Sequence, residues 1–205
     1  MSKPLVVGIC GGSGSGKTTL LKRLSETFEN KNPAIFSLDN YYFPIEKQKT
    51  DKNGVVNFDL PSALDEKQLS IDLKKLVSGE AVTVKEYFFN APPDKNVLIT
   101  IEPSELIIVE GLFLFYYQRV KQLIDYSIYV HVNDKVQLDR RLYRDQETRG
   151  YKREDIIYQW ENHVIPCHSD FILPFKSTAD FIFYNDHRSE RDYSKLKNEI
   201  SCLIH

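Results

Sequence analysis

A glycine-rich turn between an apolar run and a helical segment constrains the fold of this chain more than any other feature. Residues 11–18 read G-G-S-G-S-G-K-T, follow the run L-V-V-G-I-C, and match the pattern G-x-x-x-x-G-K-[ST]. Glycines let successive backbone N–H groups turn inward on one anion, because they adopt positive φ angles and carry no side chain. The helix that follows adds unpaired N–H groups and the positive end of its dipole. The segment therefore predicts a phosphate-binding P-loop after a buried strand.

The side chains at the end of this turn predict a nucleoside triphosphate as the ligand. We expect Lys17 to reach the β- and γ-phosphates of ATP and the Thr18 hydroxyl to coordinate Mg²⁺. The alternative is a glycine-rich turn of purely structural use, which would match the four fixed positions about once in a hundred such chains. The flanking strand and helix favour nucleotide binding. The predicted ATP-binding residues in this segment are Gly11, Gly12, Ser13, Gly14, Ser15, Gly16, Lys17, Thr18 and Thr19.

Short β-branched runs alternate with segments of helical period along the chain, which is typical of βαβ units around a parallel sheet. We predict a three-layer α/β fold in one domain, residues 1–205, with a five-stranded parallel sheet. The predicted strands are 5–10, 34–39, 105–110, 127–132 and 180–184. The predicted helices are 17–28, 116–124, 135–147, 153–164 and 190–203, together with one between Ser62, available as its N-cap, and Gly79, marked by apolar residues at helical spacing, namely Leu69, Leu73, Leu76 and Val77.

One stretch departs from that alternation. Residues 81–89 and 97–101 show period-two patterns around the turn-rich septet N-A-P-P-D-K-N. We therefore predict an antiparallel hairpin inserted at about residues 80–102, before the third parallel strand.

Composition excludes several classes of protein. The chain has 27 basic and 29 acidic residues, so it lacks the positive field that a nucleic-acid partner requires. The apolar segment 106–117 is interrupted by Glu110 and is too short to cross a membrane. Three scattered cysteines suit neither a disulfide framework nor a four-ligand zinc site. With no segment typical of a signal peptide at residues 5–10, we expect a cytoplasmic protein without a membrane partner.

Two carboxylates are predicted at the carboxyl edge of the sheet, where α/β proteins bind their ligands. Asp39 ends the second predicted strand and could accept a proton from an attacking hydroxyl. Glu110 ends the third and could hold Mg²⁺. The alternatives are a helix cap for Asp39 and a capped strand end for Glu110. The guanine-binding pattern N-K-x-D is absent from the sequence, which speaks against a Ras-type GTPase.

An arginine-rich segment at about residues 139–153 predicts a lid over the phosphates. Arg140 and Arg144 share a helix face, which is unfavourable unless an anion is near. Guanidinium groups can neutralise charge on a transferring phosphoryl group, and we assign Arg149 to ATP binding. The alternative is a solvated basic face compensated by acidic neighbours, namely Asp139, Asp145 and Glu147.

Together these segments resemble the uridine kinase branch of the phosphoribulokinase and uridine kinase family, over residues 5–184. The supporting strings are G-I-C-G-G-S-G-S-G-K-T-T, S-L-D-N-Y-Y, N-F-D-L-P-S-A-L-D, I-I-V-E-G-L-F-L-F-Y, R-R-L-Y-R-D-Q-E-T-R-G and S-T-A-D-F-I-F. The resemblance implies transfer of the ATP γ-phosphate to the 5′-hydroxyl of a ribonucleoside in pyrimidine salvage. It also implies the strand order of nucleoside monophosphate kinases and a homo-oligomer.

The resemblance also implies roles for individual residues. Asp39 matches the catalytic base, and we count Lys17 and Arg144 with it as catalytic residues. Arg144 matches the lid arginine nearer the phosphates, whereas Arg141 matches the one that touches the nucleoside. The implied substrate-binding residues are Asp39, Tyr42, Phe58, Asp59, Tyr87, Phe89, Arg141 and Gln159.

Two departures from the family pattern fall on the base-reading side. The hairpin reads Y-F-F-N-A-P-P-D-K, with Pro92 at the position of the family's histidine, and the lid reads T-R-G-Y, with Tyr151 at the position of an arginine. The segment T-D-K-N-G at residues 50–54 is similar to nicotinamide riboside kinases. Uridine or cytidine is the expected acceptor. Another small riboside is the alternative, and a non-catalytic ATP-binding protein is the alternative from a different class.

Overall fold

The computed structural model describes residues 3–88 and 96–204. In chain order, the strands in this part are β1 Leu5–Gly11, β2 Ala34–Ser37, β3 Val82–Lys85, β4 Leu98–Ile101, β5 Leu106–Glu110, β6 Tyr126–His131 and β7 Phe181–Tyr184. The α-helices are α1 Lys17–Thr27, α2 Glu66–Val77, α3 Gln118–Lys121, α4 Asp134–Glu147, α5 Arg153–Gln159, α6 Ile165–Cys167 and α7 Ser189–Leu203.

Five of the strands form one parallel sheet in the order β2-β5-β1-β6-β7. Strands β1 and β5 are almost continuously apolar because helices cover both faces of the sheet. Successive residues of β1 serve opposite layers: Val6 packs with α2 and α3, and Val7 packs with α1 and α7. The predicted three-layer α/β fold with a five-stranded parallel sheet is confirmed.

The inserted hairpin pairs β3 with β4 in antiparallel register, with Val82 opposite Ile101. Its buried residues join the core on the α2 side of the sheet. The predicted first strand of the hairpin is shorter than expected, and its turn, including Phe89 and Pro92, lies outside the described residues.

Two boundaries predicted from the sequence, the end of β2 and the start of α2, were wrong. The chain leaves β2 at Ser37, two residues before the predicted end, because the Ser37 Oγ accepts the Asp39 N–H at 3.3 Å and starts a 3₁₀ turn at Leu38–Tyr41. The N-cap of α2 is Asp65 rather than Ser62. The Asp65 carboxylate accepts the Gln68 N–H at 3.0 Å, whereas Ser62 lies inside a separate 3₁₀ turn at Pro61–Ala63.

The helix predicted over 153–164 extends further than its periodicity indicates. After α5, a π-helical turn at Trp160–Val164 leads into α6, and a second at His168–Ile172 leads into a 3₁₀ segment at Leu173–Thr178. Pro166 in α6 has no N–H to donate, so the regular ladder of hydrogen bonds is interrupted between the two widened turns. Within residues 3–88 and 96–204, no helix is long and apolar enough to cross a membrane.

Candidate active site

The P-loop joins β1 to α1 at the carboxyl edge of the sheet, and its conformation requires glycine at two positions. Gly14 has φ +76° and Gly16 has φ +101°, both in the left-handed region. A Cβ at Gly14 would lie 2.7 Å from the Gln137 carbonyl oxygen, and one at Gly16 would lie 2.1 Å from Asn185 Nδ2. Glycine is therefore needed both for the backbone angles and for the close approach of α4 and the segment after β7.

Polar side chains fix this loop by binding its carbonyl groups. Lys17 Nζ donates to the carbonyls of Gly11 and Gly12, each at 3.1 Å. Asn185 Nδ2 donates to the Ser15 carbonyl at 2.7 Å, and Arg140 Nη1 lies 3.3 Å from the same oxygen. The Ser15 N–H also donates to the Gly12 carbonyl at 3.1 Å, so these bonds together fix the conformation of the loop.

One cavity of about 570 Å³ opens at this edge of the sheet, and most of the sequence-predicted site residues line it. Gly11, Gly12 and Ser15 do not line the cavity and form the back of the P-loop. The predicted residues that line it are Ser13, Gly14, Gly16, Lys17, Thr18, Thr19, Asp39, Tyr42, Phe58, Asp59, Tyr87, Glu110, Arg141, Arg144, Arg149 and Gln159. We call residues 13–19 its phosphate end, and Tyr42, Phe58, Asp59 and Tyr87 its acceptor end.

Asp39 and Glu110 both form a hydrogen bond with the Ser37 hydroxyl. The Ser37 hydroxyl donates to Glu110 Oε1 at 2.9 Å and accepts the Asp39 N–H, since β2 and β5 pair with Ser37 opposite Glu110. Loss of bulk water raises the pKa of both carboxyl groups, and the Asp39 charge raises that of Glu110 further. The Lys17 ammonium opposes both shifts. The pair offers one carboxylate open to the cavity and one buried carboxylate at its floor.

Asp145 organises the arginines of α4 and the segment after it. Its side chain is 1% exposed and lies 3.2 Å from Arg141 Nε, 2.8 Å from Arg144 Nε and 3.1 Å from Arg149 Nη1. Three guanidinium groups on one buried carboxylate leave an excess of positive charge facing the cavity. Asp145 thus compensates the arginines, as the alternative interpretation of this segment expected, but Arg141, Arg144 and Arg149 line the cavity.

Arg141 connects the two ends of the cavity. Its Nη1 donates to Ser13 Oγ at 3.1 Å in the P-loop, and its Nη2 donates to Gln159 Oε1 at 3.1 Å and lies 3.9 Å from Asp59 Oδ2. Its Nε faces Asp145 but is not aligned for a hydrogen bond. One side chain thus contacts both the phosphate end and the acceptor end.

Aromatic rings form the wall of the acceptor end. The Tyr42 ring lies 6.1 Å from that of Phe58 in an edge-to-face arrangement and 5.4 Å from that of Tyr87. The Tyr87 N–H donates to Asn40 Oδ1 at 2.9 Å, which fixes the end of the hairpin strand against the 3₁₀ turn after β2. Burial and the nearby Asp39 charge raise the pKa values of Tyr42 and Tyr87. These neutral rings offer flat faces suited to a heterocyclic base.

The donor set fits a magnesium triphosphate. Among residues 3–88 and 96–204, no group of three or more His, Cys, Asp or Glu could hold a metal by itself. Mg²⁺ in phosphoryl-transfer sites is held by one or two carboxylates together with phosphate oxygens and water, which Thr18 and Glu110 could complement. Ser15 Oγ is buried and has no hydrogen-bond partner in this part of the chain, so the loop retains an unsatisfied polar atom beside its N–H groups.

Comparison with known proteins shows which family the chain belongs to. The family model described as Phosphoribulokinase / Uridine kinase family matches residues 6–190. The chain belongs to this family. A uridine kinase from Brevibacillus brevis is 35% identical over 182 residues, which is 89% of this chain and 85% of the relative. A uridine kinase from Staphylococcus haemolyticus is 36% identical over 204 residues, covering 100% of this chain and 99% of the relative.

A solved phosphoribulokinase from Rhodobacter spheroides has the same fold, with a TM-score of 0.65 at 16% identity over 90% of this chain and 71% of that one. The family match and the curated relatives confirm the predicted family, and this chain is a member of a kinase family.

Sequence reasoning missed several residues that shape this family member's site. Asp145 was predicted only as one of three acidic neighbours that compensate the arginines, and its i, i+4 spacing with Arg141 and Arg149 indicates the two contacts more specifically. Ser37 and Asn185 act on residues 73 and 170 positions away, and no local pattern marks them.

Proposed function

We propose that this protein uses Mg²⁺ and ATP to phosphorylate the 5′-hydroxyl of a pyrimidine ribonucleoside, converting uridine or cytidine to the monophosphate. One observation carries the proposal: the P-loop and the aromatic wall share a single cavity, and Asp39 interacts electrostatically with both. The Lys17 ammonium at the phosphate end lowers the pKa of Asp39, and the Asp39 charge raises the pKa values of Tyr42 and Tyr87 at the acceptor end. The relatives named uridine kinase support the same acceptor.

The proposed mechanism is direct, in-line transfer without a covalent enzyme intermediate. Asp39 accepts the proton of the attacking hydroxyl, and a pKa raised by burial makes it a stronger base than an ordinary aspartate. Lys17 and Arg144 stabilise negative charge on the phosphoryl group, and Arg141 aligns the acceptor through Asp59 and Gln159. Bound Mg²⁺, held by Thr18 and Glu110, would supply neutralisation of phosphate charge. Positioning and electrostatics provide most of the acceleration.

We also propose that residues 139–153 act as a lid and that the single domain assembles as a homo-oligomer. The contacts of Arg140 and Arg141 with the P-loop support the lid, because they connect α4 directly to the phosphate end. Light scattering coupled to size exclusion tests the oligomer, and a monomer at micromolar concentration would contradict it.

A second candidate acceptor is another small riboside, such as nicotinamide riboside. It is favoured by Tyr151, which lines the cavity at the lid position where the family pattern has an arginine. Val55, which directly follows the T-D-K-N-G segment, also lines the cavity. A change of polar groups at the base end would alter the preferred heterocycle while the phosphate chemistry stayed the same.

The test is release of ADP from Mg-ATP with uridine, cytidine, nicotinamide riboside, ribulose 5-phosphate and pantothenate as separate acceptors. We expect turnover with uridine or cytidine. Turnover confined to another acceptor keeps the kinase chemistry and overturns the pyrimidine assignment. No turnover with any acceptor, in a protein that still binds ATP, would favour the non-catalytic alternative.

A further inference from the structure

A tight loop at residues 49–57 forms part of the cavity wall, and one carboxylate holds its shape. Asp51 Oδ1 accepts the N–H groups of Asn53 at 2.8 Å and Val55 at 3.0 Å, while the Asp51 N–H donates to the Val55 carbonyl at 2.8 Å. An antiparallel bridge between Thr50 and Val56 closes the loop. Val55 and Val56 then line the cavity next to Phe58 and Asp59. The position of Asp51 therefore sets the position of this wall.

The second oxygen of the same carboxylate fastens the loop to the helix beyond the lid. Asp51 Oδ2 accepts the Tyr158 hydroxyl at 2.6 Å and lies 2.8 Å from His163 Nε2. Asn53 Nδ2 also donates to the Tyr158 hydroxyl, at 2.7 Å. The His163 side chain is 2% exposed and itself lines the cavity. Asp51 in the loop thus contacts Tyr158 and His163 in the helix, although each is more than 100 positions away in the sequence.

The π-helical turn makes this convergence possible. Tyr158 and His163 are five residues apart, and in a regular α-helix they would be turned away from each other by roughly 140°. The turn at Trp160–Val164 closes hydrogen bonds between residues five apart, which brings such pairs onto the same face. The two rings lie 5.9 Å apart and nearly perpendicular, and both face Asp51. The irregular helix is therefore what brings both partners to the loop.

The electrostatics favour a strong attachment. The Tyr158 hydrogen bond, and then those from His163 and the backbone N–H groups, hold the pKa of Asp51 well below its ordinary value. Asp51 is therefore ionised at neutral pH, and hydrogen bonds to an ionised acceptor are about twice as strong as neutral ones. None of the three side chains lies among the groups assigned to proton or phosphoryl transfer. Asp51 and Tyr158 would act through the wall that they hold, and the His163 ring is itself part of that wall.

We propose that Asp51, Tyr158 and His163 are positioning residues that fix the base end of the acceptor pocket and thereby determine which heterocycle of a riboside is accepted. The inference rests on the proposed riboside kinase activity and concerns the same cavity. A base stacked at the acceptor end would meet a wall made of Val55, Val56 and the His163 ring. Loosening that wall weakens acceptor binding and leaves the phosphate end unchanged.

The test compares Asp51→Asn, Tyr158→Phe and His163→Ala with the wild-type enzyme, using uridine, cytidine and nicotinamide riboside. Asp180→Asn is the matched control, because Asp180 accepts the Ser127 N–H at 2.8 Å and the Ser127 hydroxyl at 2.5 Å at the amino-terminal edge of the sheet. For Asp51→Asn and His163→Ala we expect the acceptor KM to rise about tenfold, with kcat and the KM for ATP changing less than about threefold. The ratio of kcat/KM between two ribosides should also change.

Rescue separates positioning from general damage. His163→Gln keeps an N–H at the end of its side chain and should recover part of the lost acceptor affinity, whereas His163→Ala should not. Tyr158→Phe removes only a hydroxyl, so it reports on the attachment even where the other variants fold poorly. Direct titration of riboside into each variant gives an affinity that does not depend on turnover.

Three results would overturn the inference: unchanged acceptor KM values, a loss that affects acceptor and ATP equally, or the same loss in Asp180→Asn. A wild-type enzyme that phosphorylates none of the ribosides would instead contradict the proposed function. A wild-type enzyme that is active, with variants that keep its acceptor preference, would contradict this inference alone.

Discussion

The two ends of the cavity are built in different ways. The phosphate end comes from one continuous segment, residues 13–19, of which all but Ser15 line the cavity, and its backbone geometry requires glycine at positions 14 and 16. The acceptor end collects side chains from the turn after β2, the 49–59 segment, the hairpin and the helix after the lid. Phosphate groups are the same in every nucleotide, so one short segment of the chain is enough to bind them. The acceptor end must fit one particular riboside and can change without disturbing the phosphate end.

Asp39 offers the strongest test of this division. Asp39→Asn keeps the shape of the side chain but cannot accept a proton, so kcat should fall by roughly 10² to 10⁴. Because ATP is held at the other end, its affinity should stay nearly unchanged. Steady-state kinetics with a pyrimidine nucleoside, together with titration of ATP into the variant, measure both quantities. Loss of ATP binding would mean that Asp39 mainly organises the metal, and the two ends would then not be separable.

Asp145 tests what holds the two ends together. Asp145→Asn leaves three arginines around a buried neutral side chain, and breaking a buried ion pair from one side costs about 3–5 kcal/mol. We expect a correspondingly lower free energy of unfolding, measured by chemical denaturation, and weaker binding at both ends. Asp139→Asn is the control, since Asp139 is exposed on the same helix. Equal stability of the two variants would show that the arginines do not depend on Asp145.

Gly16 tests the phosphate end alone. Gly16→Ala places a Cβ at φ +101° and 2.1 Å from Asn185 Nδ2, so either the loop or the Asn185 amide that binds the Ser15 carbonyl must shift. We expect the Kd for ATP to rise about tenfold or more, equivalent to at least about 1.4 kcal/mol, with nucleoside binding unchanged. Gly79→Ala is a matched control, because Gly79 has φ +89° but open space around it. A similar loss of ATP affinity in both variants would attribute the effect to backbone strain in general.

The pH profile gives the smallest and most specific test. Burial raises the pKa of Asp39, while Lys17, Arg149 and Arg144 lower it. Since the base must be ionised, kcat/KM for the acceptor should fall as the pH drops through a value above the ordinary aspartate pKa of about 3.9. Arg149→Gln removes one of the charges that lower this pKa, so the acidic limb should move to higher pH at saturating ATP.

The control for the pH profile is Arg153→Gln, an exposed neighbour that does not act on Asp39. A limb that moves to lower pH in Arg149→Gln, or moves equally in Arg153→Gln, would mean that a group other than Asp39 controls the profile.

The same contrast between the two ends explains how much could be predicted from the sequence. Predicted and observed bounds of α1, α4 and α7 agree to within one residue at each end, because apolar spacing and helix ends are local properties. The end of β2 was wrong because a hydrogen bond from Asp39 to Ser37 ended the strand early. The extension beyond residue 164 was missed because π-helical turns break the 3.6-residue period on which the prediction relied.

The sequence by itself determined the P-loop, the α/β alternation and the family. Each of these depends on residues that are neighbours in the sequence, and few backbone conformations suit those residues. Only the tertiary structure decided that Asn185 would hold the P-loop, that Ser37 would bind Glu110, and that Asp51 would join Tyr158 and His163. The physical reason is that hydrogen bonds and ion pairs are short-ranged, so their partners are defined by packing in space and not by position along the chain.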